Sequence, residues 1–258
     1  MRPQTIAISN QKGGTGKTAL TFEIGTILSK NSRVLFVDLD GQGDLTRLLA
    51  AGKHETGALE VLTGSTTAKD ALININAKAA LIPATEALLN ADTVLINQGG
   101  NIAGRLRKAL IRLKDFDYII IDTPPKLGTL TTNAINAADL VYIPALAESN
   151  SIDGVLNFLR TFTAINRDRE TPATIAGIVV MRYTAQSLIN RQMMESIEDI
   201  AQQIGTAVYP VKETVKLREA HFFQKSITDY APKTDTAGQI LELVKQLEKD
   251  GKKAPKKA

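Results

Sequence analysis

Cysteine and tryptophan are both absent from the 258 residues, and histidine appears only twice. Without cysteine the chain has no disulfide framework, thiolate zinc site, iron–sulfur cluster or thiol nucleophile. No apolar run approaches the ~20 residues that a membrane-spanning helix needs. The opening stretch MRPQTIAISNQKGG lacks the apolar core and small-residue cleavage site of a signal peptide, which predicts a cytoplasmic protein. Charge of one sign is scarce as well. Lys and Arg total 31 against 27 Asp and Glu, and the last eight residues, GKKAPKKA, hold four Lys and no acid, leaving 27 of each elsewhere. The Lys/Ala/Pro end over 251–258 reads as a disordered solubilising tail, with an arm for polyanions as the alternative.

What is present is an ordinary globular composition, 43% hydrophobic and 22% charged, long enough for one large domain over 1–250. Short apolar runs at Ile6–Ser9, Val34–Asp38, Leu81–Ala84, Tyr118–Asp122, Leu140–Pro144, Ile175–Met181 and Ala207–Tyr209 predict strands covered on both faces. Helical patterns lie between them at Lys17–Ser29, Asn101–Lys114, Asn150–Asn166, Ser187–Ile204 and Thr236–Asp250. The alternation predicts an α/β fold with a doubly wound, mainly parallel sheet and helices on both faces. The stretch Gly52–Asn76 reads as short helices and loops. Ligands of such sheets sit beyond the carboxyl ends of the strands, so the segments following the strands matter most.

The first strand runs into Asn10-Gln11-Lys12-Gly13-Gly14-Thr15-Gly16-Lys17-Thr18 and then a helix. Such glycines let backbone N–H groups turn around phosphate oxygens, and the helix N-terminus adds its partial positive charge. In this reading Gly13, Gly14, Thr15, Gly16 and Ala19 cradle a nucleotide, Lys17 reaches the β- and γ-phosphates and the Thr18 hydroxyl holds Mg2+. The standard G-x-x-x-x-G-K-[ST] pattern wants glycine at 11, where this chain has Gln. After the second strand come Asp38 and Asp40, whose i, i+2 spacing at a strand end points both carboxylates the same way. The run Tyr118–Asp122 ends in Asp, as a Walker B strand does when its carboxylate serves the Mg2+ water shell, and Thr123-Pro124-Pro125-Lys126-Leu127-Gly128 follows.

The run KGGTGKT resembles the deviant Walker A motif of the ParA/MinD superfamily of P-loop ATPases. D-L-D-G-Q-G-D resembles that family's D-x-D-P-Q-G-N, with Gly41 in place of proline and Asp44 in place of asparagine, and D-T-P-P-K-L-G resembles its switch segment. Weaker matches at Leu81–Ala84, Ile143–Gly154 and Tyr209–Ala220 extend the resemblance over roughly residues 4–248. It implies that Lys12 crosses the interface of an ATP-dependent homodimer to touch the partner's phosphates, that Asp40 positions the attacking water, and that Asp38, Thr18 and Asp122 serve the metal. Met181, Arg182 and Pro210 would flank the adenine.

Three functions compete within that resemblance. The first is a ParA-type DNA-partitioning ATPase, cytoplasmic and nucleoid-associated, that binds DNA nonspecifically and is reset by a ParB-like adaptor. The second is a MinD-type membrane-positioning ATPase, and the third a metabolic P-loop enzyme. A membrane helix needs large apolar residues on one face, and Gly251–Ala258 has none, so membrane binding is disfavoured. Ile240, Leu243, Val244 and Leu247 read as packing on the sheet. The two histidines, His54 and His221, stand away from the nucleotide motifs, and His221 reads as a surface or packing residue. The glycine-rich loop begins within a dozen residues of Met1, which predicts the short ParA type with no N-terminal helix-turn-helix. For DNA, Lys212, Lys216, Arg218 and Lys225 form one cluster. Arg105, Lys108 and Arg112 form another, sharing a face if 101–114 is one helix; a solvated charged face is the alternative.

Overall fold

Near-continuous Val, Ile and Leu runs fold here as buried strands because helices cover both sheet faces. The computed structural model describes residues 2–50, 52–148, 151–167, 169 and 171–253. In chain order the first part comprises β1 (Gln4–Ile8), α1 (Lys17–Leu28), β2 (Val34–Asp38), α2 (Asp44–Leu49), α3 (Ala58–Thr63), β3 (Ile73–Asn76) and β4 (Ala79–Ile82). A 3-10 turn (Glu86–Asn90) then leads into α4 (Ala91–Gln98), α5 (Arg105–Leu110), β5 (Tyr118–Asp122), α6 (Thr129–Ala137), β6 (Leu140–Leu146) and α7 (Ser151–Asn166). The chain finishes with β7 (Thr174–Tyr183), α8 (Leu188–Gln203), β8 (Ala207–Lys212), α9 (Val215–Phe222), α10 (Ile227–Tyr230) and α11 (Asp235–Lys253).

The eight strands make one sheet in the order β3-β4-β2-β5-β1-β6-β7-β8. Every neighbouring pair is parallel except β3–β4. That antiparallel edge strand lies in the stretch expected to be loops and short helices. Its alternation of half-buried Ile and exposed Asn is an edge pattern too short to stand out from a loop. One core fills the face covered by α3–α8, and a second fills the face covered by α1, α2 and α9–α11.

The expected helix over Asn101–Lys114 shrinks to the six residues of α5. Gly99 and Gly100 both take positive φ, and the Asn101 side chain accepts the Gly104 N–H, so the chain turns where the pattern predicts helix. Asn150, the expected start of the next helix, lies outside the described residues, and α7 begins at Ser151. Five helices carry no sequence signal strong enough to place them: α2, α4, α6, α9 and α10. In α6, TLTTNAINA, three threonines and two asparagines are weak helix formers, and burial of Leu130, Ala134 and Ile135 holds it. At the other end α11 continues to Lys253, three residues into the segment expected to be a tail; 254–258 lie outside the described residues. Ile240, Leu243, Val244 and Leu247 are fully buried against the sheet, as their spacing indicates.

Gly25 lets α1 lie close on β2. A Cβ there would stand 2.1 Å from Cε1 and 2.4 Å from Cζ of Phe36, a fully buried ring. Gly25→Ala gains about 1 kcal/mol of helix propensity and must displace that ring. The expected net outcome is a loss of roughly 1–3 kcal/mol in urea unfolding, with α1 pushed off the sheet.

Candidate active site

Strand register brings the chemistry together. Ile8, Asp122 and Asp38 are partners across the adjacent parallel strands β1, β5 and β2, so the three segments that follow leave the sheet at one level. Asn10 ties the first of them to the next strand by donating to the Pro144 carbonyl at 2.7 Å, and its own Oδ1 accepts the Lys12 N–H. Gly14 (φ 71°) and Gly16 (φ 90°) bend the loop back toward α1 in a conformation that L side chains resist. The N-cap of α1 is Gly16, with no side-chain cap and no acid in the first turn. The N–H groups of that turn, including Ala19, therefore face the loop as donors for an anion. Gly13 and Gly14 are exposed, whereas Thr15 is buried and donates to the Lys12 carbonyl.

Lys17 is 6% exposed and donates to the Lys12 carbonyl at 3.0 Å. Burial lowers its affinity for the proton, opposed by the carboxylates of Asp122 and Asp40. An ammonium can donate three bonds, so this lysine retains capacity for anionic oxygens. The Thr18 hydroxyl donates to Asp122 Oδ2 at 2.6 Å, and Asp122 Oδ1 accepts from the Thr123 amide and, at 3.4 Å, from Thr21 Oγ1. Burial first, and the Asp38 charge second, hold Asp122 well above the usual carboxylate range. Burial likewise pushes Asp38 up to about 6.

Asp38, expected to support the metal's shell, is held by the protein itself. Its Oδ1 accepts the Asp40 N–H, and its Oδ2 accepts both the amide and the hydroxyl of Thr46, so protein donors take up both oxygens. It anchors the start of α2 and aims the Asp40 segment. Asp40 is half-buried and accepts the Gln42 N–H, while its carbonyl closes a turn onto Gly43 (φ 66°). Lys12 points to its own chain: Nζ lies 3.4 Å from Glu148 Oε2 and 3.3 Å from Ser151 Oγ. Asn10, Thr21, Thr46 and Ser151 carry much of this geometry, and lone Ser, Thr or Asn residues offer no motif by which to find them.

Met181, expected to flank an adenine together with Arg182 and Pro210, lies against the phosphate loop. It is 4% exposed and packs beneath the P-loop, with Cγ 3.3 Å from where a Gly16 Cβ would stand. Arg182, beside it, is exposed in a left-handed conformation (φ 56°), and Pro210 is half-buried on β8 opposite Val180.

Of the two basic clusters, one does not form the helical face expected of it. Arg105 caps the end of α4 through the Gly99 carbonyl and the Gln98 side chain, and Arg112 lies beyond the end of α5, so Arg105, Lys108 and Arg112 do not form one helical face. Lys212 is paired with Asp235 and Lys216 with Glu219. Arg218 and Lys225 are exposed, with no side-chain hydrogen bond among the described residues. His221 is only 15% exposed and meets the buried Glu23 of α1 at 2.9 Å.

The residues present fit a hydrated divalent cation with a polyphosphate. Two carboxylates are buried against each other with Lys17 close by, and the Thr18 hydroxyl is bonded to one of them. Among the described residues no three His, Asp or Glu side chains converge as a metal cage, so a cation here needs oxygens from water and ligand. Raised carboxyls mean that the native state binds protons more readily than the unfolded chain between pH 3.8 and about 6. Stability from this pair is therefore lost as pH rises through that window. Asp122→Asn removes one of the two like charges. Without nucleotide or Mg2+, its melting temperature is expected to exceed that of the parent at pH 8, by about 2–4 °C per kcal/mol relieved. The gain should shrink below pH 6, as calorimetry across pH would register.

Comparison with known proteins agrees with this geometry. The AAA domain family matches residues 3–175. The chromosome partitioning protein ParA of Myxococcus xanthus is 33% identical over 259 residues, 98% of this chain and 90% of that protein. Among solved structures, a McdA–ATP complex from Cyanothece superposes with a TM-score of 0.88 at 26% identity, over 96% of this chain and 97% of that one. A cobyrinic acid a,c-diamide synthase from Mycobacterium smegmatis, with bound ATP analogue and magnesium, has a TM-score of 0.82 at 30% identity, over 98% of each chain. With a P-loop, paired aspartates and a Walker B strand in register on one sheet, the chain belongs to the ParA family of AAA domain proteins.

Proposed function

We propose that this chain is a DNA-partitioning ATPase that dimerises on ATP, binds DNA without sequence preference and is reset when a ParB-like adaptor stimulates hydrolysis. The observation that carries the reading is the convergence of Lys17, the Thr18–Asp122 pair and Asp40 at the in-register ends of β1, β5 and β2. Lys17 and the first-turn N–H groups of α1 hold the β- and γ-phosphates. Thr18 and Asp122 hold the Mg2+ shell, and the cation, when bound, neutralises phosphate oxygens. Asp40, on a segment fixed by Asp38, orients the attacking water and accepts its proton. Lys12 leaves Glu148 and Ser151 to reach the partner's phosphates when two copies meet face to face.

Membrane positioning is the weaker reading, because the apolar stripe of α11 is already buried in the core and so cannot serve as an interfacial face. For DNA, Arg218 and Lys225 are the foremost contacts; Lys212 and Lys216 first have to release their acidic partners. Of the other cluster, Lys108 is exposed and Arg105 is engaged in capping. Two copies on one duplex double the phosphates contacted, which makes DNA binding depend on ATP. The expected setting is the cytoplasm, on the nucleoid.

Three substitutions separate the steps. Lys17→Ala is expected to abolish ATP binding in calorimetry with the fold intact. Lys12→Ala is expected to bind ATP yet remain monomeric in ultracentrifugation. Asp40→Ala is expected to bind and dimerise but hydrolyse about 100-fold more slowly or worse; a parent-like rate would remove Asp40 from the mechanism. In the DNA arm, Arg218→Ala with Lys225→Ala should weaken binding to two unrelated duplexes alike, lowering the log–log salt slope by about 0.9 for each phosphate that is no longer neutralised. Equal DNA binding with ATP, with ADP and without nucleotide would defeat the switch.

A further inference from the structure

Residues 88–95, between β4 and α5, touch both nucleotide-facing segments, although neither motif includes them. Leu88, Ala91 and Leu95 are buried and fix this stretch to the core, while Leu89 is 62% exposed. A Cβ at Gly41 would stand 2.7 Å from Leu89 Cδ2, 3.1 Å from its Cγ and 3.2 Å from its backbone nitrogen. Leu89 thus lies directly on the Gly41 backbone, next to Asp40. Three residues on, Asp92 accepts bonds from the Thr129 amide at 2.8 Å and the Thr129 hydroxyl at 2.5 Å. A Cβ at Gly128 would stand 2.8 and 2.9 Å from the Asp92 oxygens, so the turn ending D-T-P-P-K-L-G is seated on that carboxylate.

Two segments that leave different strands, β2 and β5, therefore share one support. The base of that support is tied to the same region again: Ala84, just before the 3-10 turn, donates its N–H to Thr46 Oγ1, the hydroxyl that binds Asp38. Gly41 stands where the family resemblance has proline, and a ring carbon at that Cβ position overlaps Leu89. The departure at 41 and the leucine at 89 are matched to each other.

We infer that Leu89 and Asp92 are positioning residues that clamp the Asp40–Gly43 and Thr123–Gly128 segments to one rigid support, so that the two segments change state together. Neither side chain touches the reacting atoms. Leu89 limits how far Asp40 can swing, and Asp92 sets the height at which the chain after Asp122 re-enters α6. The effect on hydrolysis rests on the ATPase reading given above; the mechanical coupling does not.

Hydrogen–deuterium exchange of the full chain, first without nucleotide and then with MgATP, tests this. In the nucleotide-free protein, Asp92→Ala is expected to speed exchange about fivefold at the amides of 41–44, which Asp92 does not contact, as well as at 128–130. Leu89→Ala should do the same at 128–130, which Leu89 does not contact. Asp92→Asn keeps an acceptor oxygen for Thr129 and should restore exchange to within about twofold of the parent. In steady-state kinetics, Leu89→Ala and Asp92→Ala should lower kcat about tenfold at an unchanged KM for ATP, because the phosphate loop is untouched while Asp40 is misplaced. Exchange changes confined to the segment that each residue touches would overturn the inference, and so would an unaltered kcat in both variants. A parent protein that does not hydrolyse ATP would overturn the ATPase reading instead, and the exchange comparison would still decide the coupling.

Discussion

Two carboxylates, Asp38 and Asp122, sit opposite each other in register, fully buried, at the ends of neighbouring strands. Burying like charges side by side is costly, and the surrounding architecture can be understood as the arrangement that tolerates it. Thr46 and the Asp40 amide supply donors to one carboxylate; Thr18, Thr21 and the Thr123 amide supply them to the other. Lys17 brings a positive charge close by, itself desolvated. The result is a pair of buried carboxylates facing, on the glycine side, a run of backbone N–H donors. A metal–polyphosphate is complementary to both.

That same arrangement explains why the site is shallow in side chains and deep in backbone. Most of what would meet the phosphates is N–H from a loop that only glycine at 14 and 16 can form and from an uncapped helix end. Rigidity comes from elsewhere: Asn10 on Pro144, Gly16 on Met181, and Glu23, which accepts the Ile227 amide with both oxygens and meets His221. Burial raises the Glu23 carboxyl, while His221 and the Ile227 amide oppose that rise. Through Glu23 the helix that starts at Lys17 is bolted to α9 and α10, the first of which carries Lys216 and Arg218.

The fold class and the nucleotide motifs are legible in the sequence because each rests on local pattern. Apolar runs ending in Asp, glycines at fixed offsets from Lys17 and the alternation of strand and helix need no tertiary information. What the sequence conceals depends on contacts between distant residues. Thr46 becomes important only because Asp38 lies eight residues earlier and Ala84 packs above it. Asp92 becomes a cap only when Gly128 arrives. Arg105 looks like part of a basic face until α4 ends at Gly99 and leaves a carbonyl for it to cap. The packing of Met181 against Gly16 is likewise invisible until β7 and the loop are brought together.

The strand order has a consequence for how the chain is made. β1, with the phosphate loop attached, stands between β5 and β6, both of which lie more than a hundred residues further along. The ribosome therefore releases the first strand long before either of its neighbours exists. Until residue 122 has emerged the glycine loop has no Asp122 to stand beside, and until residue 144 has emerged Asn10 has no Pro144 carbonyl, so a shorter nascent chain has the motif without the site. Completion of the central sheet, rather than synthesis of the loop, marks the moment at which nucleotide can first be held.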